Sequence, residues 1–172
     1  MSKKQHLLYT LLTVLPTVPS FVVYCSVIQS GGWEFVNWKE AITMMPIEFI
    51  LAFLTAYFIG NPIAEKITNK NVDYSKTNPL VAQTIRVCAT VLIMCPVMCI
   101  EMTCLYDGIL PLIAGQELTL GSFIAGFLPN FLSRVVTNFP FAFFTQVFLI
   151  QPIVGWLFGK IMMALSRDKK HE

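Results

Sequence analysis

The chain reads as an all-α integral membrane protein, a four-helix bundle built from two parallel helix-hairpin repeats. Of its 172 residues 55% are hydrophobic and only 13% charged, whereas a soluble domain carries about 25% charged residues. Four stretches reach the roughly 20 apolar residues needed to cross hydrocarbon. The sequence also recurs. Thr13-Val14-Leu15 and Pro19 return 77 residues later as Thr90-Val91-Leu92 and Pro96. Phe49, Ala52-Phe53, Thr55, Phe58 and Pro62-Ile63 return 90 residues later as Phe139, Ala142-Phe143, Thr145, Phe148 and Pro152-Ile153. The difference between the offsets, 90 − 77 = 13, is an insertion in the loop of the second copy.

The first span is expected over about residues 6–28. Lys3-Lys4 before an apolar run has the look of a signal peptide, but no small-x-small cleavage site follows, and Val23-Tyr24 ahead of Cys25 does not suit lipoprotein cleavage. Its copy is the third span, so it is read as retained. Asn37-Trp38-Lys39-Glu40 fits a helix start, with Asn37 as cap and Glu40 reaching back. The second span follows over about 41–63. A polar, turn-rich linker runs from Asn69 to Pro79. The third span covers about 87–110. Ser122 to Leu132 is apolar but too short to span, so an interfacial helix or a re-entrant segment is expected on the outer face. The fourth span covers about 138–163. Residues 1–172 then form a single membrane domain, with repeat one over about 6–68 and repeat two over about 83–166. Two spans per copy put both copies the same way up, around a pseudo-two-fold axis along the membrane normal.

Basic residues set the orientation. Lys3, Lys4, Lys66, Lys70, Lys76, Arg86, Lys160, Arg167, Lys169 and Lys170 fall on one side, leaving only Lys39 and Arg134 for the other. The positive-inside rule then places both termini in the cytoplasm. Glu34, Glu40, Asp107 and Glu117 fall in the opposite loops, and Trp33, Trp38 and Trp156 lie near the membrane–water boundaries. A net charge of +2 gives no pull toward nucleic acid. The expected surroundings are the lipid bilayer and either a second copy of the chain or a partner membrane protein.

Every span carries proline, which removes the bond to the carbonyl four residues back. Pro19 and Pro96 are expected to free Leu15 and Leu92, and Pro62 and Pro152 to free Phe58 and Phe148. Packing kinks are the plain reading; a gating hinge or a polar path is the sharper one.

Asn138-Phe139-Pro140-Phe141-Ala142-Phe143, followed by an apolar run to Gln151-Pro152 and the basic end at Lys160, carries a resemblance. The pattern resembles a family of short bacterial inner-membrane proteins built from a two-helix domain of unknown function. Its second helix has Phe-Pro-x-Ala-Phe, then an apolar run, then proline before a basic end. Copy one is looser, because Phe49-Ile50-Leu51-Ala52-Phe53 has no proline at the aligned position. The resemblance implies a bacterial membrane protein and brings no activity and no functional residues with it.

Two carboxylates fall inside spans, Glu48 and Glu101. A charge at the bilayer centre costs about 2.5–3.5 kcal/mol on insertion scales. Both glutamates lie about 10 Å below the outer interface at 1.5 Å per residue. Glu48 aligns with Asn138 and Glu101 with Tyr24, so a polar centre of Glu48, Glu101, Asn138 and Tyr24 is expected around the bundle axis. No cation occurs at that depth, and Arg134 reaches only from the outer loop. A carboxyl with no cation beside it keeps its proton in a low-dielectric medium. This favours proton or small-ligand binding, in a transport role. The rival reading is a protonated glutamate that only holds helices together.

The third span is rich in sulfur. Cys88, Cys95, Cys99 and Met102 share a face, and thiolate with thioether suits Cu(I). Copy one keeps none of these ligands, and Cys and Met are ordinary apolar packers. No metal and no cofactor is therefore expected. All five cysteines fall in spans, which argues against a disulfide framework. His6 and His171 lie near the termini, and no nucleophile–base spacing or phosphate loop appears, so an enzyme is not expected. Transport or binding through the polar centre is the first reading. A non-catalytic accessory or scaffold protein that binds another membrane protein is the second.

Overall fold

In the computed structural model, residues 3–73, 77–117 and 119–168 are described. Among the described residues, four helical rods are built from seven α-helices. The first is α1 (Lys3–Ser30). In the second, α2 (Trp38–Thr55) runs through a π turn at Ala56–Gly60 into α3 (Asn61–Asn71). The third joins α4 (Pro79–Cys104) to α5 (Leu110–Ile113) through a π turn at Leu105–Ile109. The fourth joins α6 (Leu120–Phe144) to α7 (Gln151–Asp168) through a π turn at Thr145–Ile150. All four rods are long and apolar enough to cross a membrane, and no strand occurs among the described residues. Tyr74, Ser75 and Lys76 of the expected linker lie outside the described residues, as do Lys169, Lys170 and His171.

The sequence explains where rods begin and end. The side chain of Asn37 accepts from the Glu40 backbone N–H at 3.4 Å. Its amide donates to the Glu40 carboxylate at 3.1 Å, so Glu40 reaches back to the cap's side chain. Gly31 just past α1 and Gly115 just past α5 adopt φ of 77° and 76°, the left-handed turn-off that glycine makes at least cost.

Each π turn sits directly before an X-Pro pair: Asn61-Pro62, Leu110-Pro111 and Gln151-Pro152. The backbone N–H groups of Asn61, Leu110 and Gln151 donate to Ala56, Leu105 and Gln146, five residues back. A proline ring in a regular helix runs into the carbonyl four residues earlier and has no N–H to offer it. Widening the turn by one residue moves that carbonyl off the ring. Pro62 and Pro152 are thus accommodated by reshaping the helix, rather than only by freeing Phe58 and Phe148 as expected. Hydroxyls deal with their own needs along the rods. Thr10, Thr13, Thr17 and Ser20 of α1 donate to the carbonyls of His6, Tyr9, Thr13 and Pro16.

The buried faces follow the helical period. α1 buries Thr10, Val14, Val18 and Val22, and α4 buries Val87, Val91, Cys95 and Cys99 at the same spacing. Around the π turns, Ala52, Thr55, Asn61 and Ala64 are buried in the second rod, and Ala142, Thr145, Gln151 and Val154 in the fourth.

By packing, the chain forms two compact units. One joins Met1–Asn61 with Phe144–Glu172, and the other is Pro62–Phe143. In the first unit α1 packs against α2 and α7. In the second, the third rod meets α6 where buried Gly108 approaches Phe123. These units follow contacts and group the chain differently from the stretches 6–68 and 83–166.

One expectation is corrected. Ser122 to Leu132 is not a separate short element ahead of the fourth span; it belongs to the continuous helix α6. Pro129 and Pro140 both sit inside that helix without ending it, each removing one bond from a ladder that otherwise continues into the fourth span. Asp107 and Arg134 likewise lie in helical turns rather than in outer loops.

A Cβ at Gly108 would stand 3.1 Å from Phe123 Cε2. Gly108→Ala is therefore expected to lower stability by about 1 kcal/mol through overpacking, as read by unfolding in detergent. Adding Phe123→Leu should recover most of that loss. A neutral Gly108→Ala would mean the two helices do not press together there.

Candidate functional site

In the first unit an uncharged polar seam runs along the first half of α1. Asn61 opens α3 and Gln151 opens α7, each held by the π turn before it. Both amides are buried, at 8% and 5% exposure. Asn61 Nδ2 donates to Thr10 Oγ1 at 2.8 Å. The Tyr9 hydroxyl donates to Gln151 Oε1 at 2.6 Å. Gln151 Nε2 makes a long bond of 3.5 Å to Gln146 Oε1, and Gln146 Nε2 donates to Thr17 Oγ1 at 2.8 Å. From Tyr9 to Thr17 the seam climbs about 12 Å at 1.5 Å per residue. Two edge-on ring contacts frame it, His6 with Tyr57 at 5.2 Å and Tyr9 with Phe158 at 5.4 Å. Hydroxyls and amides satisfy one another here, so the seam joins helices without burying a charge.

The four residues expected to form a polar centre fall in both units. Tyr24 on α1 and Glu48 on α2 belong to the first, and Glu101 on α4 and Asn138 on α6 to the second. All four are half-buried, and each is engaged by its surroundings. Glu101 Oε2 is shut off from solvent. Asn138 Nδ2 donates to Cys99 Sγ at 3.9 Å, which ties α6 to α4.

The second unit also holds an ion pair. Arg134 Nη2 lies 3.1 Å from Asp107 Oδ1, with side-chain exposures of 21% and 26%. Asn130 Nδ2 donates to Asp107 Oδ2 at 3.1 Å. The Arg134 guanidinium lies 5.8 Å from the centroid of the Tyr106 ring. Asp107 and Tyr106 are carried by the π turn at Leu105–Ile109, so the widened turn aims both at α6.

Cys95 and Cys99 lie in the buried face of α4 and all five cysteines are free thiols. Among the described residues no three His, Cys, Asp or Glu side chains are placed to hold a metal ion.

Asn61, Gln146 and Gln151 carry no ionisable group, so a reading of the spans by charge does not single them out. The available signal was an amide in an otherwise apolar stretch. It was reinforced at aligned positions, since Asn61-Pro62-Ile63 recurs as Gln151-Pro152-Ile153. Arg134 lies on helix α6 rather than in a loop, which brings it to Asp107.

A family model described as a domain of unknown function (DUF2798) matches residues 76–162, the stretch that contains most of the third and fourth rods. No curated protein and no solved structure matches the chain.

Proposed function

The chain belongs to the family described as a domain of unknown function (DUF2798), and from that premise we propose that it is a multi-pass bacterial inner-membrane protein of transport or binding type, in which Glu48 and Glu101 take up a proton or a small polar ligand. The observation that carries this reading is the position of the two glutamates. Each sits half-buried within a rod long and apolar enough to cross a membrane. An ionised carboxylate is costly in that setting, so intramembrane acids belong to sites that bind something or pass it on.

Duplication of a helix hairpin supports the same reading. The buried faces of α1 and α4 correspond at an offset of 77, and the buried residues around two of the π turns correspond at an offset of 90. The insertion of 13 residues then lengthens the two helices of the second hairpin rather than its loop. Both termini are cytoplasmic, a reading supported by the ten-to-two division of basic residues.

The second reading, an accessory protein that holds another membrane protein, is favoured by one feature. Leu120, Ile124, Leu128, Leu132 and Val136 form an exposed apolar row along α6, suited to another apolar surface.

An apolar carbodiimide distinguishes the two readings, since it modifies protonated carboxyls within the bilayer. In native membranes the reagent is expected to label Glu48 and Glu101, with less labelling as pH rises, and Glu48→Gln and Glu101→Gln should each remove one adduct by intact mass. A stabilising small solute should also protect the sites from reagent. Absence of labelling at every pH, together with a co-purifying membrane protein, would replace this reading with the accessory one.

A further inference from the structure

We infer that the π turns at Ala56–Gly60 and Thr145–Ile150 are a matched pair of hinges, each latched to α1 by side-chain hydrogen bonds. The inference does not depend on whether the glutamates bind anything. The chain passes from one compact unit to the other at two places, between Asn61 and Pro62 and between Phe143 and Phe144. The first of these π turns ends one residue before its crossing, and the second begins one residue past the other. The π turn at Leu105–Ile109 lies wholly inside the second unit. There Asp107 is tied to Arg134 and Asn130, and Gly108 is packed by Phe123. A widened turn before proline thus occurs in three rods, but only two of the three stand at a crossing.

A π turn is a local break in the regular helix ladder, and the proline that follows offers no N–H of its own. The backbone at both π turns is therefore held by fewer bonds than an ordinary helix. Side chains supply the missing restraint, and they act on neighbouring residues of one helix. Asn61, which closes the first turn, is bonded to Thr10. Gln151, which closes the second, is bonded to Tyr9. Within the turns themselves, Tyr57 packs edge-on against His6 of α1 and Gln146 is bonded to Thr17.

Hydrogen exchange of the full chain in lipid nanodiscs, read peptide by peptide, tests this. In the unaltered protein, residues 56–61 and 145–151 should both exchange faster than the regular helix on either side. Tyr9→Phe keeps the ring against Phe158 and removes only the hydroxyl, so exchange at 145–151 should rise about tenfold while 56–61 stays unchanged. Thr10→Val should do the reverse. Pro62→Ala restores a backbone donor and should slow exchange at 56–61. The inference fails if Tyr9→Phe leaves 145–151 unchanged, or if either latch variant raises exchange evenly along all four rods. It fails equally if the turn at 105–109 responds to the latch variants as strongly as the other two.

Discussion

Gln151→Leu is expected to lower the unfolding free energy by about 2 kcal/mol, because it takes the Gln151 acceptor from the Tyr9 hydroxyl where water is scarce. The side chain is 5% exposed, so solvent cannot easily replace the lost amide. Tyr9→Phe removes the donor together with its need, and should cost only about 1 kcal/mol. Interhelical hydrogen bonds in membrane proteins average about 0.6 kcal/mol and reach about 1.7. The 2.6 Å separation of Tyr9 and Gln151 places theirs toward the upper end. In the double variant, Tyr9→Phe should therefore be nearly neutral, giving a coupling of about 1 kcal/mol by double-mutant cycle. Equilibrium unfolding in mixed micelles measures all four corners. A coupling of zero would show that the bond does not survive in the folded protein in solution.

The same two positions show what the sequence made legible. A long apolar run between polar ends announces a helix that can cross a membrane, and each expected span lies within an observed rod. The rods extend further because a helix does not stop where the hydrocarbon would: α3 carries Glu65, Lys66 and Lys70 along the end of the second rod. Asn37 and Glu40 were legible because a capping box is a local device, fixed by residues three apart. The π turns were only half legible. Proline at 62 and 152 signals a disturbed ladder, but a proline alone does not say whether a helix kinks or widens. The seam was least legible, since the meeting of Tyr9 with Gln151 joins positions 142 residues apart. Only their packing reveals it, although an amide before proline at two aligned positions pointed to where it would lie. Tyr24, Glu48, Glu101 and Asn138 are half-buried in their helices, but sequence depth alone says nothing of which neighbours engage them.

Arg134→Ala should produce the second large loss, about 2 kcal/mol, a value set by the partial burial of its pair with Asp107. Exposed ion pairs contribute about 0–1 kcal/mol, whereas removing one member of a buried pair costs about 3–5 kcal/mol. With side-chain exposures of 21% and 26%, this pair falls between those limits. Asp107 would keep its bond from Asn130, which moderates the cost, and Tyr106 would lose the guanidinium near its ring. Arg134→Lys keeps the charge but gives up the flat fork, so about half of the loss should remain. Asp107→Asn with Arg134→Ala should be less harmful than Arg134→Ala alone, because no carboxylate is then left behind. Salt supplies a further reading of the same pair. At 1 M ionic strength the Debye length falls to about 3 Å, which would erase an open surface pair but leave a sheltered one largely intact. Unfolding of Arg134→Ala and the unaltered chain in low and high salt should therefore differ by the same amount. If the difference vanishes in high salt, the pair lies open to water and the π turn at Leu105–Ile109 owes its shape to Pro111 alone.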